Sequence, residues 1–193
     1  MNKLLWGIAA GIALLIFWPT APKDYGAGVV ASLAPLQQNL SLSSFKQKDY
    51  QITPVASFYI KAKVLDRENY YFGREADLSP VDFVLGWGPM SDQDVLSHIS
   101  ISQRNRWYYW KTDEWIISRK AIENSSANMH MIPSNDSVAS ALKQVKQGDV
   151  ITLSGKLVNV KGQDGWQWNS SLSRNDTGDG ACELIWVESV RVH

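Results

Sequence analysis

Alternating apolar and polar positions dominate the chain from about residue 57 onward. Between residues 58 and 64 every second residue is apolar, which predicts a strand with one buried face. Further extended segments are predicted over residues 99–110, 129–132, 150–160 and 182–192. The pattern therefore predicts a domain rich in β-structure.

Helix signals occur at three places between these strands. The pair Ser79-Pro80 supplies an N-cap and a proline at the first helical position, so a helix is predicted from there to Gly86. A similar start predicts a short helix over residues 91–98. The clearest helix covers residues 138–145, where apolar residues recur at i, i+3, i+4 and i+7.

The order strand, strand, strand, helix, strand, strand is that of the OB-fold, a five-stranded barrel. The run LKQVKQGDVITLSGKL, residues 142–157, resembles the helix end and fourth strand of small bacterial extracytoplasmic OB domains. We therefore predict a mainly β (α+β) fold over residues 55–193. It would be an OB-like five-stranded barrel with inserted short helices, preceded by an N-terminal transmembrane helix.

An apolar run of fifteen residues, 4–18, follows Lys3 near the amino terminus, and no charge appears before Lys23. This length suits a membrane anchor over residues 1–22 that spans a slightly thinned bilayer. A removed signal peptide is the alternative, but the small residues that signal peptidase needs are missing. Pro, Gly and Ser interrupt residues 23–54, which predicts a tether.

The charges beside the run predict its orientation. Lys3 gives a positive charge before the run, whereas the opposite charges of Lys23 and Asp24 after it sum to zero. Because the more positive flank of a membrane segment stays in the cytoplasm, the following domain is expected outside it. The predicted location is the inner (cytoplasmic) membrane, with a single pass and a periplasmic carboxyl-terminal domain. Gly7 and Gly11 have the G-x-x-x-G spacing that lets two helices approach closely, which would allow a homodimer.

Four stretches carry a resemblance to a known family: FGREADLSP from residue 72, LGWGPMSD from 85, SANMHMIP from 126 and DTGDGACE from 176. In these stretches the chain resembles an uncharacterised family of single-pass bacterial membrane proteins with an OB-like extracytoplasmic domain. The resemblance implies a location and a fold, and it implies no activity.

Composition narrows the function classes. Lys and Arg number 19 and Asp and Glu number 19, so the chain is neutral and does not suit nucleic-acid binding through bulk charge. With 45% hydrophobic and 20% charged residues, the sequence is not that of a disordered chain. A single cysteine, Cys182, excludes an intrachain disulfide framework and a cysteine-cluster metal site.

The densest aromatic and basic segment contains Arg106, Trp107, Tyr108, Tyr109 and Trp110. Flat rings beside guanidinium groups can stack on sugars or on the side chains of a protein. We expect this segment to bind a protein partner in the envelope or membrane, or a glycan, on an aromatic-rich barrel face. The protein would then be a non-catalytic binding or assembly module. Packing of the same rings into the core is the alternative.

His130 is the weak catalytic candidate, because it lies between polar residues of a predicted strand. A small envelope hydrolase that uses His130 is therefore an alternative function, and a structural subunit of a membrane complex, packed through Gly7 and Gly11, is another. No histidine or cysteine spacing matches a metal motif, so neither a metal nor a cofactor is predicted.

Overall fold

A computed structural model describes residues 22–173 and 182–193 of the chain. Within these residues the protein is mainly β, as the sequence predicts. The strands are β1 Leu36–Asn39, β2 Phe45–Gln47, β3 Tyr50–Asn69, β4 Val81–Gly86, β5 Ile99–Arg104, β6 Trp107–Thr112, β7 Ser126–Pro133, β8 Val150–Gly162, β9 Gln167–Asn169 and β10 Glu183–Val192. The α-helices are α1 Arg74–Leu78, α2 Gln93–Leu96, α3 Arg119–Asn124 and α4 Asp136–Gln144, and a 3₁₀ helix covers Gly88–Ser91.

Five strands of the main sheet each pair with two others of the same set. The order of pairing is β3, β4, β7, β10, β8 and again β3. The β7–β10 pair is parallel and the other four pairs are antiparallel. Parallel neighbours need a long connection, and here α4, β8 and β9 lie between β7 and β10 along the chain. The strands β1 and β2 extend the sheet beside β3, and β9 extends it beside β8.

Helix α4 agrees with the prediction over residues 138–145. The Asn135 side chain accepts a hydrogen bond from the Val138 amide at 3.0 Å, which caps the first turn. Val138, Leu142 and Val145 lie on one face and are buried in the largest apolar core. The helix is held by this packing, since nine residues alone are too few for a stable isolated helix.

Residues 81–86 form strand β4, where the sequence predicted a helix. The Ser79-Pro80 signal resembles a helix start, but all six strand residues are buried between β3 and β7. Six residues make fewer than two helical turns, so the local preference is weak. Two ladders of backbone hydrogen bonds and two buried faces therefore decide the conformation.

The predicted strand over residues 99–110 is instead a hairpin, β5–β6, which forms a separate two-stranded sheet. It turns at Asn105 and Arg106, whose φ angles are +54° and +69°. Two consecutive positive φ values are those of the turn that suits the twist of a two-residue hairpin, and asparagine tolerates this conformation well. The aromatic and basic segment therefore lies on an inserted hairpin.

The expectation of irregular structure over residues 23–54 is wrong in part. Strands β1 and β2 and the first residues of β3 fall in this segment and pair within the main sheet. Val29 also forms an isolated bridge with Asp92. The Pro, Gly and Ser residues separate short strands here, and pairing with the long strand β3 provides the hydrogen bonds that such short strands need.

Three apolar clusters hold these elements together. The largest lies among the five circularly paired strands and α4. A second covers the outer face of β8 and β10 and includes Ile132, Val158 and Leu184. The third joins the hairpin to the outer face of β3 and β4, through Leu65 and Val84 on the strands and Tyr108 and Trp110 on the hairpin. The hairpin is thus packed onto the sheet and does not project from it.

Within residues 22–173 and 182–193, no helix has both the length and the apolar character needed to cross a bilayer. The predicted anchor, with Gly7 and Gly11, lies outside the described residues except for Pro22.

Candidate functional site

A buried carboxylate forms the centre of the candidate site. Asp82 is on β4, directly opposite His130 on β7, and its side chain is completely buried. The Ser79 hydroxyl donates a hydrogen bond to Asp82 Oδ1 at 3.3 Å. An ionised side chain is almost never fully buried without a partner. The groups that compensate Asp82 therefore define the site.

Arg106 is the first of these groups. Its Nη1 donates to Asp82 Oδ1 at 2.7 Å, and its Nη2 donates to the Ser79 carbonyl oxygen at 3.0 Å. The guanidinium carbon lies 3.6 Å from the centre of the Tyr70 ring, and the Tyr70 hydroxyl accepts from the Arg106 amide at 3.0 Å. The planar guanidinium is thus fixed by two hydrogen bonds and one stacked ring.

The backbone of Arg106 is part of this arrangement. Its φ angle of +69° lies in the left-handed region, which costs a residue with a side chain on the order of 1 kcal/mol. The Asn128 side chain donates to the Arg106 carbonyl oxygen at 2.7 Å. Contacts with Tyr70, Asp82 and Asn128 therefore hold the turn residue in a conformation that it does not prefer.

His130 is the second group beside Asp82. Its Nδ1 lies 2.8 Å from Asp82 Oδ2, which is within the distance of an ion pair. The imidazole ring stacks at an angle on Trp168 of β9, with 4.8 Å between ring centres. Cys182 lines the same groove, and its Sγ lies 4.0 Å from the carbonyl oxygen of Arg106. The imidazole, which belongs to a residue only 3% exposed, thus lies between the Asp82 carboxylate and the Trp168 ring.

The environment of His130 favours its charged form. Burial alone would lower the pKa of this imidazole, but the Asp82 carboxylate and, to a smaller extent, Cys182 outweigh burial and raise the pKa to about 9. At neutral pH, two cations, Arg106 and His130, therefore face the single carboxylate of Asp82. The inner end of the site carries an excess of positive charge.

A groove of about 410 Å³ opens beside this cluster. Strand β9 forms one wall and the Arg106 turn with Trp107 forms another. The lining residues are Glu75, Arg106, Trp107, His130, Gln167, Trp168, Asn169 and Cys182. The groove combines two indole rings, two amides, the positive charge at its inner end and the Glu75 carboxylate, and its volume suits a small ligand.

The structure separates the five aromatic and basic candidates. Arg106 and Trp107 line the groove with His130. Tyr108 and Trp110 pack into the core beneath the hairpin, and the Tyr108 hydroxyl lies 3.3 Å from that of Ser126. The Tyr109 ring is exposed on the other face. Strand alternation thus directs neighbouring rings to different surroundings, and the groove receives only the first two candidates.

Several site residues were not singled out as candidates from the sequence. Asp82 is not among the candidates, although a lone carboxylate in the apolar run VDFVLG indicates a buried and compensated charge. Tyr70 and Trp168 carry no local signal, because their roles come from contacts with Arg106 and His130. The sequence draws attention to Cys182 only as a single cysteine, and the structure places it, partly exposed, in the groove.

In the part of the chain that the structure describes, no group of three or more His, Cys, Asp and Glu side chains is placed to hold a metal ion. Comparisons of the chain with protein-family models, with curated proteins and with solved structures found no match. The site is therefore interpreted from its own chemistry.

Proposed function

We propose that this protein is a membrane-anchored binding module of the bacterial cell envelope that holds a glycan unit in the groove beside Arg106 and His130. The observation that carries the proposal is the composition of the groove: the Trp107 and Trp168 rings, the Gln167 and Asn169 amides and a positive inner end. Indole faces stack on sugar rings and amides bind hydroxyl groups. A groove of about 410 Å³ has room for one or two sugars, whereas a stable protein–protein interface needs a much broader surface.

The proposed scaffold is an OB-like barrel. The circular pairing order of β3, β4, β7, β10 and β8, with β7 and β10 parallel, supports this assignment. So does α4, which lies between the third and fourth strands of that set. Hairpin β5–β6 would then be an insertion between the second and third barrel strands.

The proposed anchor comprises residues 4–22, as in the family that the sequence resembles. The start of the described chain is docked on the domain: Lys23 Nζ donates to the carbonyl oxygen of His193 at 2.8 Å. The Tyr25 hydroxyl also accepts from the Val150 amide at 3.1 Å. An anchor before Lys23 would therefore meet the domain where β8 begins and β10 ends. Protease added to spheroplasts tests the proposed location, because a cytoplasmic domain would survive intact.

Glycan binding is tested by titrating the full-length chain, in detergent, with chitobiose and with a disaccharide that carries a uronic acid. Quenching of tryptophan fluorescence reports binding, and the acidic sugar should bind more tightly because the inner end of the groove is positive. Trp107→Ala should abolish binding of both sugars. The matched control is Trp110→Ala on the same strand, whose ring packs beneath the hairpin and not in the groove. Equal binding by wild type and Trp107→Ala would refute the proposal.

A second experiment distinguishes a protein ligand from a glycan. A photocrosslinking residue at position 107 in intact cells would capture a polypeptide if a protein segment fills the groove, and a glycan otherwise.

The Asp82–His130 pair favours a second candidate function, the small envelope hydrolase, because a carboxylate that orients a histidine is a common arrangement in acyl-transfer enzymes.

A further inference from the structure

A second cavity, which we call the lysine pocket, has a volume of about 320 Å³. Residues 22–24 form one wall, and Lys63 of β3, helix α2 and strand β5 form others. Gly148, just before β8 begins, lines this pocket, whereas Asn169 of the groove pairs with Asn159 farther along β8. The lysine pocket and the groove therefore lie toward different ends of β8, and they share no lining residue in the part of the chain that the structure describes.

Lys63 is a buried cation in this pocket. The residue is only 3% exposed, although a lysine normally keeps its charged end in water. Its neighbours Ala62 and Val64 are buried in the largest apolar core, so Lys63 lies on the outer face of β3. Its Nζ donates a hydrogen bond to Gln93 Oε1 of α2 at 2.5 Å and lies 5.7 Å from the centre of the Tyr25 ring. Helix α2 and the segment before β1 thus cover a charged side chain.

The described residues compensate this charge only in part. None of the ion pairs within residues 22–173 and 182–193 includes Lys63. Burial lowers the pKa of Lys63 and outweighs the opposite effect of the Asp24 and Asp92 carboxylates. An ammonium group can donate three hydrogen bonds, and Gln93 accepts one of them. An anion beside Lys63 would therefore stabilise a charge that burial makes costly.

The other charged groups of the wall are engaged by the protein itself. Lys23 Nζ donates to the carbonyl oxygen of His193 at 2.8 Å, and Asp24 Oδ1 accepts from the backbone amide two residues later at 2.8 Å. Gly148 has a φ angle of +88°, and a Cβ at this position would collide with the backbone of Lys23. This close packing fixes the wall, and Lys63 is the cation that the pocket offers to a ligand.

Apolar side chains line the rest of the lysine pocket. Leu65 and Ile99 belong to the apolar cluster beneath the hairpin, and Leu96 and Ile101 pack against that cluster while partly exposed. The pocket thus combines one buried cation with walls that suit a hydrocarbon chain. Its volume is at the lower end of the range for small-molecule sites, which is about 300–1,000 Å³.

We propose that the lysine pocket binds a monocarboxylate with an apolar tail, such as a medium-chain fatty acid. The carboxylate would pair with the Lys63 ammonium and the Gln93 amide, and the tail would lie against Leu96 and Ile101. One available cation matches one negative charge, and the volume is too small for the two acyl chains of a phospholipid. The proposal goes beyond glycan binding and uses a different cavity. Entry of the ligand from the membrane is the one point that rests on the proposed anchor before Lys23.

The test uses the full-length chain in an uncharged maltoside detergent at pH 7.5, with a decanoic acid that carries a diazirine near the end of its tail. Irradiation releases N₂ and inserts the tail into a nearby bond, and mass spectrometry locates the adduct. We expect the adduct within residues 93–101. An excess of decanoate should reduce labelling at least about tenfold, whereas decanol should have little effect because it lacks the charge that Lys63 binds. An adduct confined to other parts of the chain, or equal competition by decanol, would overturn the proposal.

The role of Lys63 is tested by Lys63→Met, which keeps a long side chain and removes the charge. Labelling of this variant should fall at least about tenfold, because the charge-assisted hydrogen bond to the carboxylate is lost. Lys61→Met is the matched control, since Lys61 is exposed two residues away on the same face of β3. Equal labelling of wild type and Lys63→Met would overturn the proposal. If Lys63→Met fails to fold, the competition between decanoate and decanol still decides, because it needs only wild type. The experiment contains no glycan, so its outcome is independent of the test of the groove.

Discussion

The stability of the folded chain should decrease as pH rises from about 6.5 to about 9, because of His130. The pKa of this imidazole is raised from 6.5 to about 9 in the folded protein, since Asp82 outweighs the opposing effect of burial. Between these values the folded state holds a proton that the unfolded state has released. The contribution of the Asp82–His130 pair is therefore complete below pH 6.5 and is lost as pH rises through 9.

The size of this effect follows from the two pKa values. Each unit of difference corresponds to about 1.4 kcal/mol, so the pair contributes roughly 3 kcal/mol at low pH. His130→Gln should therefore destabilise the chain by roughly 3 kcal/mol at pH 6. Above pH 9.5 the wild-type histidine is neutral too, and the difference between the two proteins should shrink to about 1 kcal/mol or less.

The assay is guanidinium unfolding of the full-length chain in detergent, followed by tryptophan fluorescence at pH 6, 7.5 and 9.5. Other titrating groups are common to both proteins and cancel in the difference. A difference in the free energy of unfolding that stays constant from pH 6 to pH 9.5 would refute the assignment of a charged His130 paired with Asp82.

Three further substitutions and one control substitution test the fold and the ion pair through thermal unfolding. Gly155→Ala should destabilise the protein by more than about 2 kcal/mol, because the new Cβ would collide with a backbone carbonyl of β10; an unchanged melting temperature would contradict the β8–β10 packing. Leu142→Ala should cost about 3 kcal/mol, because it leaves a cavity beneath α4. Arg106→Lys should cost roughly 2 kcal/mol, because an ammonium cannot hold Asp82 and a carbonyl in one plane, whereas Arg119→Lys on an exposed pair should cost almost nothing.

Segments with a strong and regular pattern folded as the sequence predicts. Helix α4 has a cap at Asn135 and an apolar face, and β3, β7, β8 and β10 have apolar positions that are buried in the structure. Residues 81–86 do not, because a short apolar run fits a buried strand and a buried helix equally well. Only the neighbouring strands β3 and β7 decide between them.

The candidate site was predictable only in part. Arg106, Trp107 and His130 stood out by residue type and meet in the groove, but the sequence offered no reason to connect them. Asp82 and Cys182 complete the cluster from positions 48 residues before and 52 residues after His130. A local sequence pattern cannot predict contacts between residues so far apart in the chain, because strand register and the position of the hairpin create those contacts.

The order of residues by itself determined the β-rich class, the α4 helix and the neutral charge balance that argues against nucleic acid, because these depend on composition and on short periodic patterns. The tertiary structure alone decided which carboxylate is buried, which rings face the groove and which histidine nitrogen meets that carboxylate. Desolvation and side-chain geometry act through space, so a buried Asp82 becomes compensated only when β4, β7 and the hairpin turn have come together.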